Sequence, residues 1–351
     1  MVLKVAVIGL GKQATEDHLP ILALSEHYQL SAVVDINRER LDQIAHQYAV
    51  PGFSSVEELL SHQTIDVALM ALPHSAYLSA ISLVAAQGIH VIKEKPFAMN
   101  MHEARHLQEL IEKHHIYIGV TMQRRFDPIF QAYHQIKRHI GKIFSIEGYY
   151  TMNIASLDQG WRATKSDAGG GALIDMGYHF IDLLVWYFGT PSSVTARLSR
   201  GNRPGQRYDV EDTAHLLFDY HLEGYSEEEK TIGTFVISRV YPQKQESLTI
   251  YGTQGIIKIK RGSIQRLDCQ GQEIEHLERH GRWLSSAIAQ FESFALQIQQ
   301  FRSGQPPTAH EHLAHMAIIE AAYKSDQLGR SCSPHLYSEH LSTKLLVKGA
   351  L

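Results

Sequence analysis

The chain has 351 residues, 44% of them apolar and 20% charged, with 33 basic against 37 acidic residues for a formal net charge of −4. That length exceeds the usual single domain and predicts two, while the charge balance gives no support to a basic nucleic-acid groove. No stretch approaches ~20 uninterrupted apolar residues, which argues against a membrane-spanning helix, and the segment from Met1 to Gly9 lacks the length and cleavage site of a signal peptide.

Two cysteines, Cys269 and Cys332, cannot build a disulfide framework and predict a reducing, cytoplasmic setting. The 22 histidines are scattered, and no metal is expected.

Along the first third, strand-like and helix-like segments alternate. Apolar runs at Lys4 to Ile8, Gln29 to Asp35, Ile65 to Ala71, His90 to Ile92 and Ile116 to Val120 predict strands. Between them the spacing predicts helices over Arg38–Tyr48, Val56–Ser61, Ser75–Gln87 and Met101–His114. Such alternation means a parallel sheet with helices on both faces. Pro20, inside the first helix, predicts a kink or a restart.

The pattern changes near Gln123. After a helix around Pro128 to Arg138, strands follow strands: Phe144–Thr151, Val194–Ser199, Thr213–Tyr220, Thr231–Arg239, Glu246–Tyr251 and Ile256–Lys260. Turns fall at Gly252-Thr253-Gln254-Gly255 and Lys260-Arg261-Gly262, and Glu223–Lys230 reads as a hairpin tip. Helices are expected at Gly171–Tyr187, Ser285–Arg302 and Glu311–Leu328, the last with a Thr308–Glu311 capping box. The expected fold is therefore α/β, a dinucleotide-binding domain over 1–122 followed by an α+β domain with a mostly antiparallel open sheet over 123–351.

Gly9-Leu10-Gly11-Lys12-Gln13-Ala14 is GxGxxA, directly after a strand and opening a helix. The first glycine permits a tight turn, the second lets backbone amides approach a pyrophosphate, and Ala14 allows close helix–strand packing. Asp35 ends the second strand, where a carboxylate accepts hydrogen bonds from ribose hydroxyls and repels a 2′-phosphate. This favours NAD, with NADP the alternative because Arg38 and Arg40 follow closely.

Glu94-Lys95-Pro96 follows the fourth strand, at the sheet edge where such folds bind ligands. A lysine there stabilises negative charge developing on a substrate oxygen; a cis proline would fix the turn. Further on, Gly169 to Asp182 reads GGGALIDMGYHFID. If it is helical from Ala172, Asp175, His179 and Asp182 lie at i, i+4 and i+7 on one face. Ionisable groups in so apolar a segment are costly unless paired or used, and a histidine beside a carboxylate is a good proton acceptor. Asp182 is assigned to a buried network that satisfies backbone amides. A metal site is the weaker rival, since these ligands match no zinc signature.

Taken together, GxGxxA, Glu94-Lys95-Pro96, Arg124-Arg125-Phe126-Asp127-Pro128, Trp161-Arg162, the Gly169–Asp182 run and the Gly252–Gly255 turn resemble the glucose–fructose oxidoreductase, inositol dehydrogenase and MocA-like oxidoreductases over nearly the whole chain. The resemblance implies Lys95, Asp175 and His179 as catalytic residues. It implies Gln123 near the nicotinamide, Trp161 and Arg162 near cofactor or substrate, and dimers or tetramers through the open sheet. One departure stands out: where the family often has Thr-Pro-Asn-x-x-His, this chain has Leu72-Pro73-His74-Ser75-Ala76-Tyr77. Leu72, Pro73 and Tyr77 are still expected to line the dinucleotide.

The expected activity is NAD(P)-dependent hydride transfer at a CH–OH group of a sugar or cyclitol, with no nucleic-acid or membrane partner. The alternatives are an NAD-dependent glycosidase of the same family and a non-enzymatic dinucleotide sensor. The retained Lys95, Asp175 and His179 argue against the sensor.

Overall fold

A computed structural model describes residues 2–226, 228–279, 284–302 and 310–337. Two compact units are present, one made of residues 1–126 with 282–309 and the other of 127–281 with 310–351.

In the first unit six strands, β1 (Leu3–Ile8), β2 (Tyr28–Val34), β3 (Gly52–Phe53), β4 (Val67–Met70), β5 (His90–Lys93) and β6 (Ile118–Val120), form a sheet in the order β3-β2-β1-β4-β5-β6. Every neighbouring pair is parallel. This is the doubly wound dinucleotide-binding order, which reverses between β1 and β4 and opens a crevice at the carboxyl ends there. β4, β5 and β6 bury every residue, as strands covered on both faces must.

Helices Arg38–Tyr48 and Met101–His114 start where predicted because Asn37 and Asn100 accept the amides of Arg40 and Glu103. The first helix is composite. A π turn at Ala14–His18 leads into an α segment at Leu19–Leu24, and Pro20, which has no N–H to continue the ladder, sits just past that change of register. Helix Leu284–Arg302 belongs with this sheet and not with the residues that precede it in sequence. Its Ala287, Phe291, Phe294, Ala295 and Ile298 share a buried cluster with Leu3, Val5 and Tyr28, and the Tyr28 hydroxyl donates to Phe291 O at 2.8 Å.

The second unit is an eight-stranded sheet of β7 (Ile143–Asn153), β8 (Ser193–Ser199), β9 (Thr213–Tyr220), β10 (Thr231–Ser238), β11 (Val240–Gly252), β12 (Gly255–Lys260), β13 (Ser263–Leu267) and β14 (Glu273–Glu278). The order is β14-β13-β12-β11-β7-β10-β9-β8. β7 and β10 run parallel and all other neighbours antiparallel. The Glu223–Lys230 segment joins β9 to β10, as a hairpin tip should.

Edge strand β8 is covered by helix His310–Leu328, whose Ser325 and Asp326 side chains accept the amides of Ala196 and Leu198 at 2.9 and 3.0 Å. Covering an edge in this way removes a template for unwanted strand pairing. The opposite sheet face carries Tyr149, Leu217 and Ile232, 36%, 40% and 46% exposed. β13 and β14 were not anticipated, and Thr308 of the expected capping box lies outside the described residues. No helix among the described residues is long and apolar enough to cross a membrane.

Candidate active site

The residues singled out by sequence divide between the two units, and each group is described by itself. In the first unit Gly9 has φ +87, and a Cβ there would lie 2.5 Å from Ala71 O; only glycine fits. A Cβ on Gly11 would meet nothing within 4 Å, so the turn leaves open space over its backbone. Ala14 is fully buried. The turn is tied to the end of β2: Gly9 N donates to Val34 O at 2.8 Å and Leu10 N to Asp35 Oδ2 at 2.7 Å.

Asp35 Oδ1 accepts from Asn37 N at 2.7 Å, and Arg40 Nη1 stands 3.5 Å from Oδ2. Arg38 turns to Asp42 instead, Nε to Oδ2 at 3.1 Å. Ile36 is 95% exposed, an apolar side chain standing beside that carboxylate. Lys12 and Gln13 face outward along the helix, bridged to Glu16 at 3.8 Å and to Asp17 at 2.5 Å.

The Lys95–Pro96 peptide is cis, and Lys95 and Gln123 are half-buried. Glu94 meets the buried His18, Nε2 to Oε1 at 2.9 Å. Burial alone would raise the Glu94 carboxyl, but His18, a hydrogen bond from Thr121 and the charge of Lys95 together hold it below the usual glutamate value. Tyr77 is buried under its own turn. Its hydroxyl accepts from Leu72 N at 3.2 Å and donates to Met70 O at 3.3 Å, which fixes Leu72 and Pro73.

In the second unit the Gly169–Asp182 run is helical from Ala172, as expected, but not in one register. Leu173–Gly177 forms a π turn and Tyr178–Phe188 an α-helix, so the simple i, i+4, i+7 face does not hold. π turns of this kind recur at functional sites. Asp175 lies in the π turn, 9% exposed. Its Oδ2 accepts from Arg239 Nη2 at 2.8 Å and from Arg162 Nε at 3.3 Å. The Arg162 guanidinium also lies over the Trp161 ring, 4.1 Å from its centroid.

His179 is half-buried, with the Tyr150 ring 6.5 Å away. Asp182 is 1% exposed and stands 3.5 Å from Nε2 of the fully buried His315. The glycine-rich turn is capped by Glu211, which accepts from Gly171 N at 2.8 Å and from Leu173 N at 2.9 Å. Burial raises the Glu211 carboxyl, while those amides and the Tyr323 hydroxyl oppose the rise.

Loops 152–166 and 200–210 are stitched together. Gln206 accepts from Leu157 N at 2.7 Å and donates to Ala155 O at 2.6 Å, and Lys165 N donates to Asp209 Oδ1 at 2.6 Å.

Sequence reasoning missed Lys93, Glu211 and Arg239, all buried charges at or next to strand ends. It also overlooked His102-Glu103-Ala104-Arg105-His106, which has the His-Glu-x-x-His spacing of zinc sites. The structure gives it another use. Both histidines are exposed, and Glu103 closes a capping box, accepting from Met99 N at 3.1 Å while its own amide donates to Asn100. Among the described residues no three His, Cys, Asp or Glu side chains converge as metal ligands.

Comparison with known proteins extends these observations. Residues 3–122 match the "Oxidoreductase family, NAD-binding Rossmann fold" model and residues 136–258 the "GFO/IDH/MocA C-terminal domain" model. The rhizopine catabolism protein MocA of Rhizobium meliloti is 24% identical over 326 residues, 91% of this chain and 93% of that protein. An uncharacterized oxidoreductase of Schizosaccharomyces pombe is 28% identical over 228 residues, 63% of this chain but only 61% of its own length. Among solved structures, aldose-aldose oxidoreductase from Caulobacter crescentus, complexed with glycerol, shares the fold with a TM-score of 0.81 at 20% identity, covering 95% of this chain and 100% of that one. Both halves of the fold and both domain models agree: the chain belongs to the Gfo/Idh/MocA oxidoreductase family.

Proposed function

We propose that the protein is an NAD(P)-dependent dehydrogenase that moves a hydride between nicotinamide and a CH–OH carbon of a sugar or cyclitol, with NAD the preferred cofactor. The observation that carries this reading is the ready-made dinucleotide cradle of the first unit. Gly11 leaves open backbone where a pyrophosphate would lie, and Asp35 is held rigidly at the end of β2 by two amides. The family membership and the aldose-acting relative support a sugar-like substrate.

Within this reading Gly9 to Ala14 hold the phosphates, Asp35 takes the adenine ribose, and Ile36 offers apolar contact to the adenine ring. Leu72, Pro73, Glu94 and Gln123 line the dinucleotide, while Tyr77 acts by shaping the turn that carries Leu72 and Pro73. When bound, the nicotinamide supplies the hydride acceptor. Lys95 donates a hydrogen bond to the reacting oxygen and stabilises its developing charge. His179 takes the hydroxyl proton as general base. Arg239 and Arg162 hold the Asp175 carboxylate through Oδ2, and Asp175 orients the imidazole.

In this proposal the dinucleotide-binding domain spans residues 1–122 and the second domain 123–351, and the sheet face that carries Tyr149, Leu217 and Ile232 makes a homodimer or homotetramer. The test is NADH formation against sugars, sugar acids, sugar phosphates and inositols. Reduction of NAD by at least one of them supports the proposal. Release of reducing sugar without net NADH would instead identify a glycosidase, and binding of NAD with no turnover a sensor.

A further inference from the structure

Lys93 is the last residue of β5 and is fully buried. A buried ammonium is costly unless each of its three donors finds an acceptor. Here each does. Lys93 Nζ donates to Glu94 O at 2.9 Å, to Phe97 O at 3.3 Å and, closest, to Pro96 O. Two of these carbonyls flank Lys95 in sequence, one on each side.

On its other side the same nitrogen lies 3.8 Å from the centroid of the Tyr77 ring, a favourable seat for a desolvated cation. Tyr77 in turn braces the turn after β4 through Leu72 N and Met70 O. One ammonium therefore ties together the two turns that leave β4 and β5 at the carboxyl edge of the sheet. Lys93 is the cation stacked on that tyrosine.

We propose that Lys93 is a positioning residue for Lys95: its hydrogen bonds to the carbonyls of Glu94, Pro96 and Phe97 and its seat on the Tyr77 ring hold the Glu94–Phe97 turn in the geometry in which Lys95 meets the reacting oxygen. The proposal rests on the catalytic reading of Lys95.

Burial lowers the Lys93 pKa, Glu94 of the same turn and Glu103 of the helix Met101–His114 oppose the fall, and Lys95 adds to it, leaving a value of about 7. The contacts are therefore tested below that pH, where the ammonium is charged.

Two readouts on the full chain test this. The first is hydrogen–deuterium exchange of the Glu94–Met99 segment at about pH 6. Its protection should be about tenfold lower in Lys93→Met than in the native protein, and lowered in Tyr77→Leu as well. Native protection in both variants overturns the proposal, and Tyr77→Leu keeps the test intact where Lys93→Met fails to fold.

The second readout is steady-state kinetics. Lys93→Met should lower kcat about 10- to 100-fold with KM changed less than about threefold, as a displaced catalytic group does. A Lys93→Met enzyme with native kcat overturns it. Lys95→Ala separates the two claims. If it keeps native turnover, the catalytic reading of Lys95 fails, whatever the exchange data show.

Discussion

Arg239 Nη2 lies 2.8 Å from Oδ2 of Asp175, and their side chains are only 3% and 12% exposed. The same Arg239 nitrogen also reaches Gly171 O at 3.2 Å. One guanidinium therefore fixes both the start of the glycine-rich turn and the carboxylate within it. Removing one partner of a buried pair strands the other charge, which costs about 3–5 kcal/mol. Arg239→Met should lower the unfolding free energy by about that amount in urea denaturation, whereas Arg162→Met, at the 53% exposed arginine, should lower it by less than about 1 kcal/mol.

His179 and Lys95 are expected to show catalytic rather than structural losses. His179→Asn and Lys95→Ala should each reduce turnover by roughly 10²–10⁴-fold with NAD affinity little changed. Fluorescence titration of NADH and thermal unfolding on the same preparations check this. Near-native turnover per folded molecule of His179→Asn would show the imidazole to be structural.

Asp35 should decide the cofactor. Its fixed carboxylate faces a 2′-phosphate with like charge, so NADH should bind at least about tenfold more tightly than NADPH. Asp35→Ser should narrow the ratio to within about threefold, although it also removes the acceptor for Leu10 N. Stronger binding of NADPH by the native protein would mean that Arg40, not Asp35, meets the ribose.

Lys93 should give stability a slope at alkaline pH. Its pKa is about 7 in the fold against 10.5 for the free side chain. Between those values the unfolded chain binds more protons, so stability rises with pH and is lost again as pH falls through about 7. Denaturation midpoints from about pH 7 to pH 10 should rise in the native protein relative to Lys93→Met.

Assembly through the open sheet face rests on Tyr149, Leu217 and Ile232. Light scattering at micromolar concentration should show a dimer or tetramer, and Leu217→Glu with Ile232→Glu should shift it to monomer. A native monomer would refute this use of the face.

Much of the fold was legible because local chemistry agreed with it. Helices Arg38–Tyr48 and Met101–His114 have both apolar periodicity and an asparagine cap, and both appear with the bounds expected. β14 carries no such signal: Glu273–Glu278 is exposed at every residue, so no burial pattern marks it as a strand. The π turn at Leu173–Gly177 was invisible, since the residues of a widened turn are those of an ordinary helix.

The candidate site was legible where a motif names residues, at Gly9, Asp35, Lys95, Asp175 and His179. The groups that hold those residues were not. Lys93, Glu211 and Arg239 are charges at or near strand ends, a place where surface residues are common, and only tertiary packing reveals that they are buried. The His102–His106 spacing shows the converse error, a metal pattern whose glutamate serves as a helix cap.

Helix Leu284–Arg302 has a consequence for synthesis. Its Phe291, Phe294 and Ile298 complete the core begun by Leu3 and Val5, yet they leave the ribosome almost 300 residues later. The amino-terminal sheet therefore emerges first and stays open on that side until most of the second unit has been made. Premature termination between the two would release a chain with a bare apolar face and no partner of its own to cover it.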